Sequence, residues 1–171
     1  MHQYHVICKP QTRRSERFVN MGYDIMSLIY KPKGKAREYS PLALNIYNGC
    51  DHGCYYCFNR MLPFLENTPV PKKNVLERLM TELNRRPVTE QVLMSFVGDP
   101  YCRMDEKLQL TRRALELLQA HDVPVAILTK GGTGCLRDLD IFIDMNCKVG
   151  ASLTFNTFAD SNEFELGTAT P

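Results

Sequence analysis

No apolar run in the 171 residues approaches the length needed to span a bilayer, and the longest candidates carry charges within a few positions. The opening MHQYHVICKPQTRRSERF lacks the apolar stretch of a signal peptide. These absences argue against a membrane-spanning or exported protein, and the expected location is the cytoplasm. A strong charge excess is also missing. Lys+Arg number 21 against 19 Asp+Glu, and a net charge of +2 does not by itself imply a nucleic-acid partner. The seven cysteines are not the even, dense set of a small secreted disulfide scaffold. Cys8, Cys102, Cys135 and Cys147 are scattered singly, while three others crowd into eight residues. That pattern reads as a metal site in a reducing compartment rather than as disulfides.

What is present is an ordinary globular composition, 44% hydrophobic and 23% charged, in a chain long enough for one domain with a real core. The charge is uneven. Residues 1–40 hold eight Lys/Arg against three Asp/Glu, a balance of +5, and the rest balances to −3. The basic segment could touch phosphates or be a solvated extension. It shows no sustained period, and YKPKGKAREYSP reads as an extended, polar lead-in. The expected organisation is therefore a basic N-terminal extension over 1–40 and a core over 41–171.

Regular structure is expected from residue 42. LALNIYN, with Leu42, Leu44 and Ile46 alternating, predicts a strand. PKKNVLERLMTELNRRP predicts a helix, capped by Asn74 with Glu77 in a capping box and ended by Pro87. EQVLMSFV predicts a second strand, EKLQLTRRALELLQAHD a second helix and VPVAILT a third strand. CLRDLDIFIDMN predicts a third helix, and KVGASLTF a fourth strand. Strands this apolar are buried on both faces of a parallel sheet, and strand–helix alternation gives βαβ units. The expected fold class is α/β, a partial (β/α) barrel of about four parallel strands with covering helices. NTFADSNEFELGTATP leaves room for one helical turn and a loop. The fourth strand would then be an unpaired edge needing a covering partner, unless the chain is cut short of its fold.

The chemistry concentrates in YNGCDHGCYYCFNR, directly after the first strand. Cys50, Cys54 and Cys57 form C-x3-C-x2-C in a loop marked by Gly49, Asp51 and Gly53. Thiolates ligate iron–sulfur clusters, and three of them on four irons leave one iron able to bind a small molecule. The alternative is a zinc site completed by a histidine such as His52 or His5, although no second C-x2-C unit is present.

This spacing, with Tyr56 just before the third cysteine, resembles the signature of radical S-adenosylmethionine (radical SAM) enzymes. Around it, PLALNIYNGCDHGCYYCFNR, FVGDPYCRMDEKLQLTRRALELLQAHDVPVAILTKGG and LRDLDIF resemble the spore photoproduct lyase-like branch, whose members are often labelled DNA repair photolyases. The likeness runs from about Tyr30 to the C-terminus. It implies a [4Fe–4S] cluster held by Cys50, Cys54 and Cys57, with the free iron binding the amino and carboxylate groups of S-adenosylmethionine. Reductive cleavage of that cofactor then gives a 5′-deoxyadenosyl radical for hydrogen abstraction, a lyase-like activity. It also implies a reducing donor such as flavodoxin or ferredoxin and, by family analogy alone, a nucleic-acid substrate.

Carried over residue by residue, Tyr56 would contact the adenine region, and Asp99 would lie near the methionyl group or ribose unless it only forms the turn before Pro100. Lys130 would pair with the cofactor's carboxylate, and Ser152 is a further candidate of the same kind. Two departures stand out. Spore photoproduct lyase has a cysteine hydrogen donor shortly before this aspartate, and LMSFVGD has none. The complete core of the family has six strands, so the chain resembles a truncated member. Two alternative readings follow, a cluster-binding product without activity and a zinc-stabilised nucleic-acid-binding module.

Overall fold

Strands that are apolar at successive positions must be covered on both faces, and this governs the architecture. The structure, a computed structural model, describes residues 5–7, 27–61, 68–151 and 157–168. In chain order the elements are β1 (His5–Ile7), β2 (Ile29–Tyr30), β3 (Leu42–Leu44), β4 (Tyr47–Asn48), β5 (Gly53–Cys54) and β6 (Val70–Pro71). There follow α1 (Val75–Arg85), β7 (Val92–Met94), α2 (Arg103–Leu108), α3 (Leu110–Ala120) and β8 (Val125–Thr129). The last are α4 (Leu139–Asp144), β9 (Cys147–Ala151), α5 (Phe158–Phe164) and β10 (Glu165–Leu166).

One six-stranded sheet runs β1-β9-β8-β7-β3-β2. Its four central strands, β3, β7, β8 and β9, pair in parallel and follow one another in chain order. Strands added sequentially in one direction, with helices in each crossover, are the pattern of a (β/α) barrel. The expected α/β partial barrel is what the chain forms. Leu42, Leu44, Val92, Met94, Val125 and Ile127 are nearly solvent-free, and Leu79, Leu83, Leu115 and Leu118 of α1 and α3 pack against them. No helix among the described residues is long and apolar enough to cross a membrane.

Four local expectations are corrected. Asn74 is left-handed (φ +50°) and its side chain makes no cap, so the capping box does not form at α1. The long second helix breaks at Gln109 (φ +48°) into α2 and α3, because the buried Asp105 carboxylate captures the Thr111 amide at 2.9 Å. The third helix begins as a 3-10 turn over Gly132–Asp138. The first strand divides, β3 staying in the sheet while β4 pairs with β6.

The lead-in YKPKGKAREYSP is not extended throughout, because it turns through a 3-10 helix over Gly34–Glu38, and strands from the N-terminal part flank the sheet. β2 lies antiparallel to β3 on one edge of the sheet. β1 lies antiparallel to β9, with His5 opposite Gly150, and so covers the fourth-strand edge for which a partner was expected. Glu82 of α1 ties this region down. It accepts from the Leu28 amide at 2.8 Å and from the Ser27 hydroxyl, and it pairs with Arg86 at 2.5 Å.

Candidate metal and cofactor site

The parallel strands end on one rim, and the residues singled out by sequence leave from those ends. After β4 the chain turns through Gly49 (φ +82°) into the cysteine loop. That loop rests directly on the loop after β7. A Cβ on Gly98, which sits at φ +102°, would lie 2.5 Å from the Gly49 carbonyl oxygen. Only glycine permits so close an approach of two backbones.

Cys50, Cys54 and Cys57 are free thiols, Cys54 buried and the others half-buried. Burial pushes the Cys50 thiol up to about 12, opposed by a backbone hydrogen bond at His52, with Asp99, Asp51 and Cys57 adding to the rise. Burial also raises the Cys54 thiol, while Lys130 pulls it down and Glu165 pushes it up. Such thiols exchange their protons for a metal on binding.

Asp99 is the hub of the rim. Its Oδ1 accepts from the Tyr101 amide at 2.8 Å and from the Thr129 hydroxyl at 2.6 Å. Its Oδ2 accepts from the Lys130 amide at 2.6 Å and lies 3.5 Å from His52 Nδ1. One buried carboxylate thus joins the ends of β7 and β8 to the cysteine loop. The turn expected before Pro100 is formed, and the same side chain does more than form it.

Tyr56 and Lys130 also come together, over a residue that the sequence reading missed. The Tyr56 hydroxyl and the Lys130 ammonium both donate to Glu165 Oε1, and Lys130 Nζ stands 5.5 Å from the centroid of the Tyr56 ring. β10 brings Glu165 here by pairing with β5, Glu165 opposite Cys54. No local signal marks it, because a Glu between Phe164 and Leu166 reads as a surface position. Burial pushes Glu165 up and Lys130 down, while Cys54, Asp99 and Cys57 pull Lys130 back up. Ser152 lies outside the described residues. Cys102 is fully buried, its thiol pushed up to about 11, as suits a packing cysteine.

The donor set can be tested for fit. Among the described residues no three His, Cys, Asp or Glu side chains converge on one ion position. His52 is turned instead toward Asp99 and Asp51. A mononuclear zinc site built from His52 and the three cysteines does not match this arrangement. Three soft thiol donors on one loop suit iron–sulfur ligation, in which the ligands are spread over separate irons.

A sequence model described as the radical SAM superfamily matches residues 44–168. An uncharacterized protein of Mycobacterium tuberculosis is 34% identical over 143 residues, covering 75% of this chain and 42% of its own length. An uncharacterized protein of Methanocaldococcus jannaschii is 29% identical over 117 residues, covering 67% of this chain and 44% of its own. Among solved structures, a variant of spore photoproduct lyase superposes with a TM-score of 0.63 at 18% identity, over 86% of this chain and 42% of that one. Another variant, with bound AdoMet and dinucleoside spore photoproduct, gives 0.59 at 19% identity, over 77% and 39%. The chain spans less than half the length of these relatives, and the structural likeness is one of fold.

Proposed function

The chain belongs to the radical SAM superfamily, and on that premise we propose that it holds a [4Fe–4S] cluster on Cys50, Cys54 and Cys57 and uses it to cleave S-adenosylmethionine reductively. The observation that carries this reading is the gathering of three free thiols with Asp99 and Lys130 on the C-terminal rim of a parallel sheet, where barrels of this kind place their chemistry. Held on Cys50, Cys54 and Cys57, such a cluster would supply the electron for reductive cleavage of the cofactor, the source of radical chemistry in this superfamily.

The chain's own residues bind and orient. Tyr56 offers a half-exposed aromatic face to the adenine. Lys130 offers a cation to the carboxylate of the methionyl group, and its backbone is fixed by Asp99. Asp99 serves the cofactor by holding the two strand ends against the cysteine loop. Ser152, next in sequence after β9, is a further candidate for the cofactor by the resemblance alone. The electron comes from a small reducing protein of the flavodoxin or ferredoxin kind, and the location is cytoplasmic. The likeness to spore photoproduct lyase, together with the +5 balance of residues 1–40, supports a nucleic-acid substrate.

The test is anaerobic reconstitution with iron and sulfide, reduction with dithionite, and assay of 5′-deoxyadenosine and methionine. Both should form in the reconstituted chain and fall to background in Cys54→Ala. A chain that carries a full cluster yet releases neither product overturns the cleavage reading.

A further inference from the structure

Glu165 has no part in the function proposed above, yet several contacts fix it in place. The backbone contacts come first. β10 pairs with β5, and the Tyr55 amide donates to the Phe164 carbonyl at 2.8 Å. A Cβ on Gly53 would lie 3.0 Å from Leu166 Cβ, so any side chain there would crowd this ladder. The side chain then closes on the loop. One oxygen accepts from both Tyr56 and Lys130, and Ser161 Oγ approaches the other at 3.5 Å. Glu165 is 6% exposed. An apolar residue would fill such a site at no desolvation cost, so the charge itself needs a reason.

Position supplies one. Glu165 lies opposite the ligand Cys54 in the ladder, and Tyr56 sits between the ligands Cys54 and Cys57. Lys130 and Glu165 bring charges of opposite sign to the Cys54 thiol, in surroundings where water screens them poorly.

We propose that Glu165 is a positioning residue that fixes Lys130 and Tyr56 against the ligand loop, and that the Glu165 and Lys130 charges offset each other's effect on the reduction potential of the cluster held there. This rests on the cluster assignment above. Reduction adds an electron to the cluster, so nearby negative charge opposes it and nearby positive charge favours it. Glu165 therefore lowers the potential and Lys130 raises it. Bound to each other they nearly cancel. The Tyr56 hydroxyl, held by the same carboxylate oxygen, keeps its ring beside the ammonium.

The experiment is a potentiometric titration, read by EPR, of reconstituted wild type, Glu165→Gln, Lys130→Gln and the double variant. Gln keeps the size of Glu and its ability to accept from Tyr56 and Lys130, removing only the charge. Iron content should be equal in all four proteins. The midpoint should move to higher potential in Glu165→Gln and to lower potential in Lys130→Gln. The double variant should return to within the smaller of the two single shifts. Equal midpoints, or single shifts of the same sign at full iron content, overturn the proposal.

Hydrogen exchange on the cluster-free chain gives a readout that needs no iron. In Glu165→Ala the Tyr55 amide should lose protection by about tenfold or more while the amides of β8 keep theirs. Unchanged protection at Tyr55 overturns the hold of Glu165 on the loop. A wild-type chain that takes up no iron refutes the cluster assignment, and with it the potential-setting role, while the exchange result still decides the positioning role.

Discussion

Two groups of buried acidic side chains brace the rim of the sheet, and they are built differently. In one, Asp105 and Asp138 are wholly buried and all four carboxylate oxygens are engaged. Asp105 accepts from the Tyr47 hydroxyl at 2.5 Å, from the Thr111 amide and from Arg137. Asp138 accepts from the Tyr101 hydroxyl at 3.0 Å and from Arg112 at 3.2 Å. Arginine is permanently charged and forks across its acceptors, so the group is locked. In the other, Asp99 and Glu165 meet backbone amides, a histidine at 3.5 Å and a lysine, beside three free thiols and the exposed rings of Tyr55 and Phe58. The first group has every carboxylate oxygen engaged and fastens loops to the core. The second leaves two half-buried thiols and exposed aromatic rings at the rim beside a lysine, as a binding site requires.

The contrast can be broken by substitution. Asp105→Ala leaves Arg137 and the Tyr47 hydroxyl without their buried partner, and the expected loss is about 3–5 kcal/mol by denaturant titration. A neutral result would mean that the arginine group is not the fastening. Gly98→Ala forces a Cβ into the Gly49 carbonyl at positive φ. It should cost about 1–3 kcal/mol and also reduce iron uptake, because it moves the cysteine loop itself.

Glu82, outside both groups, calibrates them. Burial works to raise its pKa, but Ser27, Arg86 and the amides of Leu28 and Ile29 prevail and hold it below its ordinary 4.5. A depressed carboxylate contributes stability that is present above its unfolded pKa and lost as pH falls through the folded value. Unfolding followed from pH 7 downward should lose this contribution below about 4.5 in the wild type. Glu82→Gln should be about 1 kcal/mol less stable at pH 7 and show a shallower acid limb. Parallel acid limbs in the two proteins would remove Glu82 from that role.

The smallest expected effect on stability accompanies the largest on binding. Cys54→Ala should cost the cluster-free chain under about 1 kcal/mol, yet abolish cluster uptake. A large loss of stability without loss of iron would place Cys54 in the fastening rather than in the site.

How much of this the sequence disclosed follows from where each interaction is made. The strands were readable because burial on both faces writes itself as continuous apolar runs such as Val92–Met94. The cluster of three cysteines was readable because its spacing is local. Lys130 stands at the end of a strand and Asp99 in the loop that follows one, so both positions were legible from the strand pattern. The break at Gln109 was hidden, since LQLTRRALELL has good helical pattern and only the tertiary capture of Thr111 by Asp105 interrupts it. The pairing of β1 with β9 joins residues more than 140 apart, with no turn signal to announce it. Glu165 was hidden for the same reason, because it reaches Tyr56 across 109 positions through a two-residue ladder.

The most direct measurement is iron and acid-labile sulfide per chain after anaerobic reconstitution, in wild type and in the triple variant Cys50→Ala, Cys54→Ala and Cys57→Ala. The cluster assignment predicts about four irons and four sulfides in the wild type and none in the variant. A wild type that takes up one zinc and no iron, or a variant that keeps its full iron, would contradict it.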